Sequence, residues 1–234
     1  MIGKQIKRWG LVVLLLGLLG LFFYFHLYRY LSFDNLKMHR AILLDWTNQH
    51  FFQAILGFML IYTVAVAISI PGAAFLTVLS GFLFGPLIGS VIVVIAATLG
   101  ACIVFIAVEL AFHDWMEKKA AKWLRSMKQG FQNNAFSYLL FLRLIPIFPF
   151  WLINIVPALL GISKRIFITA TFIGIIPGSF VYTLVGNGLG HVFDANKTPT
   201  LSIIFEPEIL IPILALAILS LVPIAYKRFK RQKI

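Results

Sequence analysis

Apolar residues fall in long blocks at 9–31, 51–70, 72–84, 87–112, 136–160, 166–190 and 209–226, with short polar stretches between them. A helix needs about twenty apolar residues to cross a ~30 Å hydrocarbon core, so this pattern predicts membrane-spanning helices. Block 72–84 is too short to cross alone, and only Pro71-Gly72 parts it from its predecessor. Block 136–160 is broken at Pro146 and Pro149. Two other stretches mix polar and apolar residues at helical spacing, 36–50 (LKMHRAILLDWTNQH) and 114–128 (DWMEKKAAKWLRSMK). In the second, Met116, Ala120, Trp123 and Met127 share one face, and Lys118, Lys122 and Arg125 lie on another. Such a helix can lie in the interface against anionic headgroups, or its lysines can serve only to fix topology.

Composition agrees with the pattern. The 234 residues are 61% hydrophobic, 15% aromatic and 12% charged, against about a quarter charged in a soluble domain; mean hydropathy is +0.96. The fold class expected is an all-α polytopic membrane protein. The net charge of +12 sits at the ends of spans: Lys4, Lys7 and Arg8; Lys118 to Lys128; Lys164 and Arg165; Lys227 to Lys233. That distribution reads as cytoplasmic retention and argues against nucleic-acid binding. Leu11 to Leu31 reads as a retained anchor, because Phe25, His26, Tyr28 and Arg29 follow where a cleavage site would need small residues. Tyr24, Tyr28 and Tyr30 are expected in the far interface. Cys102 is the only cysteine, so no intrachain disulfide or cysteine cage can form.

Charge also selects a topology. If every long block crossed, the basic stretch 113–128 would fall outside. If 51–84 and 136–160 are instead re-entrant hairpins, each entering and leaving on one side, every basic loop falls inside. The acidic stretch with Asp194, Glu206 and Glu208 then falls outside. The result is four full spans, two hairpins and cytoplasmic termini. It is also an inverted repeat of amphipathic helix, re-entrant hairpin and transmembrane helix, with N- and C-terminal transmembrane helices added, a recurrent transporter design.

The candidate chemistry lies in FLRLIPIFPFWLINIVPALLG, residues 141–161. Arg143 is a cation about 10 Å into the second hairpin if that arm is helical. It could snorkel to the surface, or serve as a fixed charge in a cavity walled by the broken backbone around Pro146, Pro149 and Pro157. Glu109, the other charge well inside an apolar run, could pair with Arg143 or reach the interface. Asn154 could bind a ligand or satisfy broken backbone. Lys164 and Arg165 could receive a phosphate or only stop translocation. Gly81, Gly85 and Gly89, then Ala96 and Gly100, and Gly174 to Gly190 read as close-packing positions. The five histidines show no metal spacing and no acid pair faces another, so neither an enzyme nor a metal or cofactor is expected.

These segments carry a resemblance. GFLFGPLIG at 81–89, AATLGA at 96–101, FLRLIPIFPFWLINIVPALLGIS at 141–163 and GIIPGSFVYTLVGNGLG at 174–190 resemble the DedA, or SNARE-associated (VTT-domain), membrane family. The resemblance covers roughly 70–190. It implies two re-entrant loops in inverted repeat and, by family, phospholipid scrambling or translocation of lipid phosphates such as undecaprenyl phosphate. It carries a functional role to Arg143, and to Pro146, Pro149, Asn154, Gly161, Gly81 and Gly85. Proton-coupled members bear acids in the first hairpin, whereas 51–84 has neither Asp nor Glu.

The organisation expected is an anchor at 1–35, a DedA/VTT-like membrane domain with two re-entrant hairpins at 36–192, and a C-terminal transmembrane helix with basic tail at 193–234. The function expected is a lipid transporter, scramblase or flippase for phosphate-bearing lipids, with the hairpins meeting to make a headgroup path. A proton- or ion-coupled exchanger and a non-transporting scaffold recruiting through 114–128 stand as alternatives. Membrane phospholipids or polyprenyl phosphate are the expected partners, a homo-oligomer is left open, and a bacterial cytoplasmic membrane fits the short termini.

Overall fold

The computed structural model describes residues 2–118, 134–145 and 148–194, with isolated positions at 214, 218 and 221. Every regular element among the described residues is helical. The face of the amphipathic stretch at 119–128, Pro146, the loop acids Glu206 and Glu208, all but those three positions of the apolar run 209–226, and the basic tail lie outside the described residues.

Helix α1 runs Ile2–Tyr24, seven residues short of the expected end. His26 adopts φ 54 and a 3-10 turn follows at Leu27–Tyr30; His, Tyr and Phe in succession propagate a helix poorly. Its apolar part, Trp9–Tyr24, is shorter than a full crossing. Tyr24, Tyr28 and Tyr30 are exposed. The amphipathic stretch forms α2, Phe33–Gln49, where the Ser32 hydroxyl accepts the Asn35 N–H at 3.3 Å and Asp34 sits in the first turn.

The first expected hairpin is α3, Phe51–Ala67, and α4, Ala73–Phe84, packed together. The bend begins before Pro71-Gly72. The Ser69 N–H reaches the Val66 carbonyl at 2.9 Å and the Ile70 N–H reaches Ala65 at 3.1 Å. These bonds close a Schellman motif with serine, at φ 57, in the place usual for glycine. Gly72 follows at φ 103. The arms then run back along each other: Tyr62 and Thr77 share a 2.9 Å hydrogen bond, and the Phe58 and Phe84 rings lie 5.5 Å apart.

Gly85, at φ 76, ends α4, and Pro86 opens α5, Pro86–Lys118. This order of glycine then proline suits both termini. The second hairpin is α6, Ala135–Leu144, and α7, Phe150–Leu159, with Pro149 at the N-cap. Pro157 sits inside α7 and does not break it. At the far end the Gly161 N–H bonds Ala158 and the Ile162 N–H bonds Pro157, a second Schellman closure with Gly161 at φ 68. The expected span 166–190 is two helices, α8 (Lys164–Gly174) and α9 (Ile176–Asn187), which part at Ile175 just before Pro177. A short α10 follows at Leu189–Asp194. Pro86–Phe112 and Lys164–Asn187 are long and apolar enough to cross a bilayer.

The chain forms two compact units. One holds 13–101 and 178–206, with the first hairpin. Backbones touch there: a Cβ on Gly81 would strike Thr183, one on Gly186 would strike the Val78 carbonyl, and one on Gly100 would lie 2.6 Å from the Thr63 carbonyl. Gly85 and Gly190 face open space instead, so Gly85 is required by its backbone angle and not by packing. The other unit holds 1–12, 102–177 and 207–234, with the second hairpin. Its core includes Phe105, Leu139 and Phe167, and the Phe105 and Phe167 ring centroids are 4.4 Å apart. The protein is an all-α polytopic membrane protein.

Candidate anion site on the second hairpin

Arg143 lies in the last turn of α6, just before the Ile145–Pro149 break. The turn that follows brings α7 back, so Asn154, eleven residues on, meets it: Arg143 Nη2 donates to Asn154 Oδ1 at 2.7 Å. Helix α8 supplies the other wall. Phe167, Ala170, Thr171 and Gly174 fall at i, i+3, i+4 and i+7, one face, and all four are buried. Arg143 Nη2 also donates to Thr171 Oγ1 at 2.9 Å. The Phe150 ring centroid lies 4.8 Å from the guanidinium carbon and that of Phe167 5.4 Å, within cation–π range. Gly174 leaves room for the arginine stem, since a Cβ there would sit 2.5 Å from Arg143 Cβ.

Arg143 is 8% exposed and Asn154 is fully enclosed. The guanidinium therefore does not snorkel; it is held inward by a hydrogen-bonding pair of side chains and two rings. Its satisfaction is incomplete. Arg143 Nε and Nη1 and Asn154 Nδ2 are buried without a hydrogen-bond partner. Among the described residues no carboxylate makes an ion pair with Arg143. An uncompensated buried donor costs about 1–3 kcal/mol, and more when charged, and native proteins keep few of them. The unfilled groups here are all donors gathered around one positive charge, which suits an anion with several acceptor oxygens.

The remaining expected residues divide. Glu109 does not pair with Arg143; its Oε2 lies 2.9 Å from Lys164 Nζ, with both side chains partly exposed. The reason is position: Lys164 opens α8 and brings its ammonium to the enclosed Glu109 Oε2. Arg165 is exposed, and its carbonyl accepts from Thr169 Oγ1 at 2.8 Å. Pro149 and Gly161 shape the two ends of α7, while Gly81 and Gly85 belong to the other compact unit. Phe150, Phe167 and Thr171 were not singled out by the sequence reading. The available signal was the buried face of α8, whose one hydroxyl falls between a phenylalanine and a glycine.

The VTT domain model matches residues 70–188, just over half of the chain. A "Transmembrane protein 41 homolog" of Dictyostelium discoideum is 33% identical over 196 residues, which are 82% of this chain and 57% of that protein. "Transmembrane protein 41B" of Mus musculus and of Homo sapiens are each 26% identical over 204 residues, 86% of this chain and 68% of theirs. The chain thus spans little more than half the length of the Dictyostelium relative. No solved structure matches it. With its helical hairpins, its apolar helices long enough to span a bilayer and these matches, the chain belongs to the DedA/VTT family of membrane proteins.

Proposed function

We propose that the protein is a lipid transporter or scramblase that moves phosphate-bearing lipids, phospholipids or polyprenyl phosphates, between leaflets. Arg143 takes the headgroup phosphate and Asn154 adds a donor. The observation that carries this reading is the buried guanidinium with Nε and Nη1 unpartnered beside an unpartnered Asn154 amide. The lipid tails stay in the bilayer while the headgroup is held. Release requires weak binding, and one charge-assisted contact of about 1–3 kcal/mol is of the right size. An exchanger is less well supported, because Glu109, the acid a proton relay would need, is engaged by Lys164. The basic span ends support termini on the cytoplasmic side of the membrane.

Vesicle reconstitution tests the reading. With fluorescent phosphatidylglycerol, or a fluorescent polyprenyl phosphate, the native protein is expected to raise inter-leaflet exchange above that of protein-free vesicles. Arg143→Ala should lower it about tenfold to a hundredfold. Exchange no faster than in empty vesicles refutes transport of the lipids assayed.

A further inference from the structure

The surroundings of Arg143 offer an anion more donors than charge. Nη2 directs its hydrogens to Asn154 Oδ1 and Thr171 Oγ1. Those of Nε, Nη1 and Asn154 Nδ2 remain, all on buried atoms. The amide adds bonding capacity and no charge. Among the described residues of α6, α7 and α8, Arg143 is the only buried cation. The other cations of these helices, Lys164 and Arg165, open α8. Lys164 stands two helical turns, about 10 Å, from Thr171, and its ammonium lies on Glu109 at 2.9 Å. Arg165 is exposed.

The walls disfavour a second negative charge. Phe150 and Phe167 lie 4.8 and 5.4 Å from the guanidinium carbon, and an aromatic face is the negative pole of its quadrupole. The rings attract the cation and repel whatever negative charge the cation does not cancel. Arg143 is buried, so little water is at hand to screen the excess. A ligand with one negative charge leaves a neutral buried pair. A ligand with two leaves an uncompensated buried anion, the case that a low-dielectric site tolerates least.

We propose that the site selects its anion by charge, taking a phosphate that bears one negative charge and refusing one that bears two. The inference rests on the reading of Arg143 as the headgroup site and narrows that reading. A phosphodiester carries one charge throughout the neutral range. A phosphomonoester loses its second proton at about pH 6, so the dianion must bind one proton and become the monoanion before it enters. The pH dependence of its transfer then belongs to the lipid. Helix α5 packs on α8 through Phe105 and Phe167. Titratable groups on the elements around Arg143 are Cys102 and Glu109 in the apolar run of α5, Tyr138 on α6, and Lys164 and Arg165 on α8; α7 carries none. A change of charge at any of them, or at Arg143 itself, would show with a diester as well.

The test uses the full chain in phosphatidylcholine vesicles that carry fluorescent phosphatidylglycerol, a diester, or fluorescent phosphatidic acid, a monoester, with the same acyl chains. Inter-leaflet exchange is measured from about pH 6 to about pH 8, across the second ionisation, and the rate in empty vesicles is subtracted at each pH. The monoanion fraction of the phosphatidic acid is read from its ³¹P shift in the same vesicles. Phosphatidylglycerol exchange is expected to stay level. Phosphatidic acid exchange is expected to fall with its monoanion fraction, about tenfold per pH unit once the dianion dominates. Phosphatidic acid that keeps pace with phosphatidylglycerol at the alkaline end overturns the proposal. A parallel fall of both lipids also overturns it, because the titration then lies in the protein. Both of these results leave transport standing. Phosphatidylglycerol exchange no faster than in empty vesicles at every pH instead refutes the transport reading, and the charge rule with it.

Discussion

Thr171→Val removes one hydrogen bond to the guanidinium and should lower lipid exchange in vesicles about threefold to tenfold. Insertion, checked by protease protection, should be unchanged. Arg143 and Asn154 were legible because polar groups are rare in an apolar run and each must be satisfied or used. Their partners were not. Aromatic residues are 15% of the chain, so Phe150 and Phe167 gave no contrast. A threonine in a membrane helix normally bonds its own preceding turn, so Thr171 carried no signal of its own. The pairing of Glu109 with Lys164 escaped the sequence because only the fold says which cation is near. Gly174→Val has a larger effect, because its side chain would enter the volume of the Arg143 stem. Overpacking of this kind costs about 1–3 kcal/mol, to be read as a lower midpoint in a denaturant titration in detergent.

The helices were the more legible level. Proline and glycine mark where a helix cannot continue, and both hairpins break close to where those residues predict. The departures come from residues with no such signature. Ser69 carries the first bend at φ 57, a conformation serine rarely adopts, so nothing in its identity announces it. The break at Ile175 follows from Pro177 two residues later, yet the apolar run continues through it unchanged. Ser69→Gly relieves the left-handed strain and should raise stability by about 1 kcal/mol, while Gly161→Ala should lower it by a similar amount. Both are measurable in one chemical-denaturation series. Gly81→Ala should be more damaging than Gly85→Ala in that series, because Gly81, unlike Gly85, faces another backbone at contact distance.

For the whole molecule, membrane residence and helical class follow from length and composition of the apolar runs, since a bilayer admits few backbone solutions. The proposed sides of the membrane rest on the distribution of charge. A membrane-impermeant maleimide should label cysteine at Lys164 only from the side of the termini, and cysteine at His50 only from the opposite side, in a Cys102→Ser background. The central proposal is contact between Arg143 and a lipid phosphate. The direct measurement is ¹⁵N–³¹P dipolar recoupling by solid-state NMR on ¹⁵N-arginine protein in phosphatidylglycerol bilayers, with Arg143→Gln as the subtraction control. Direct hydrogen bonding places guanidinium nitrogen and phosphorus about 4 Å apart, so the native sample should show dephasing that the control lacks. Identical dephasing in the two samples would contradict the assignment of Arg143 as the phosphate site.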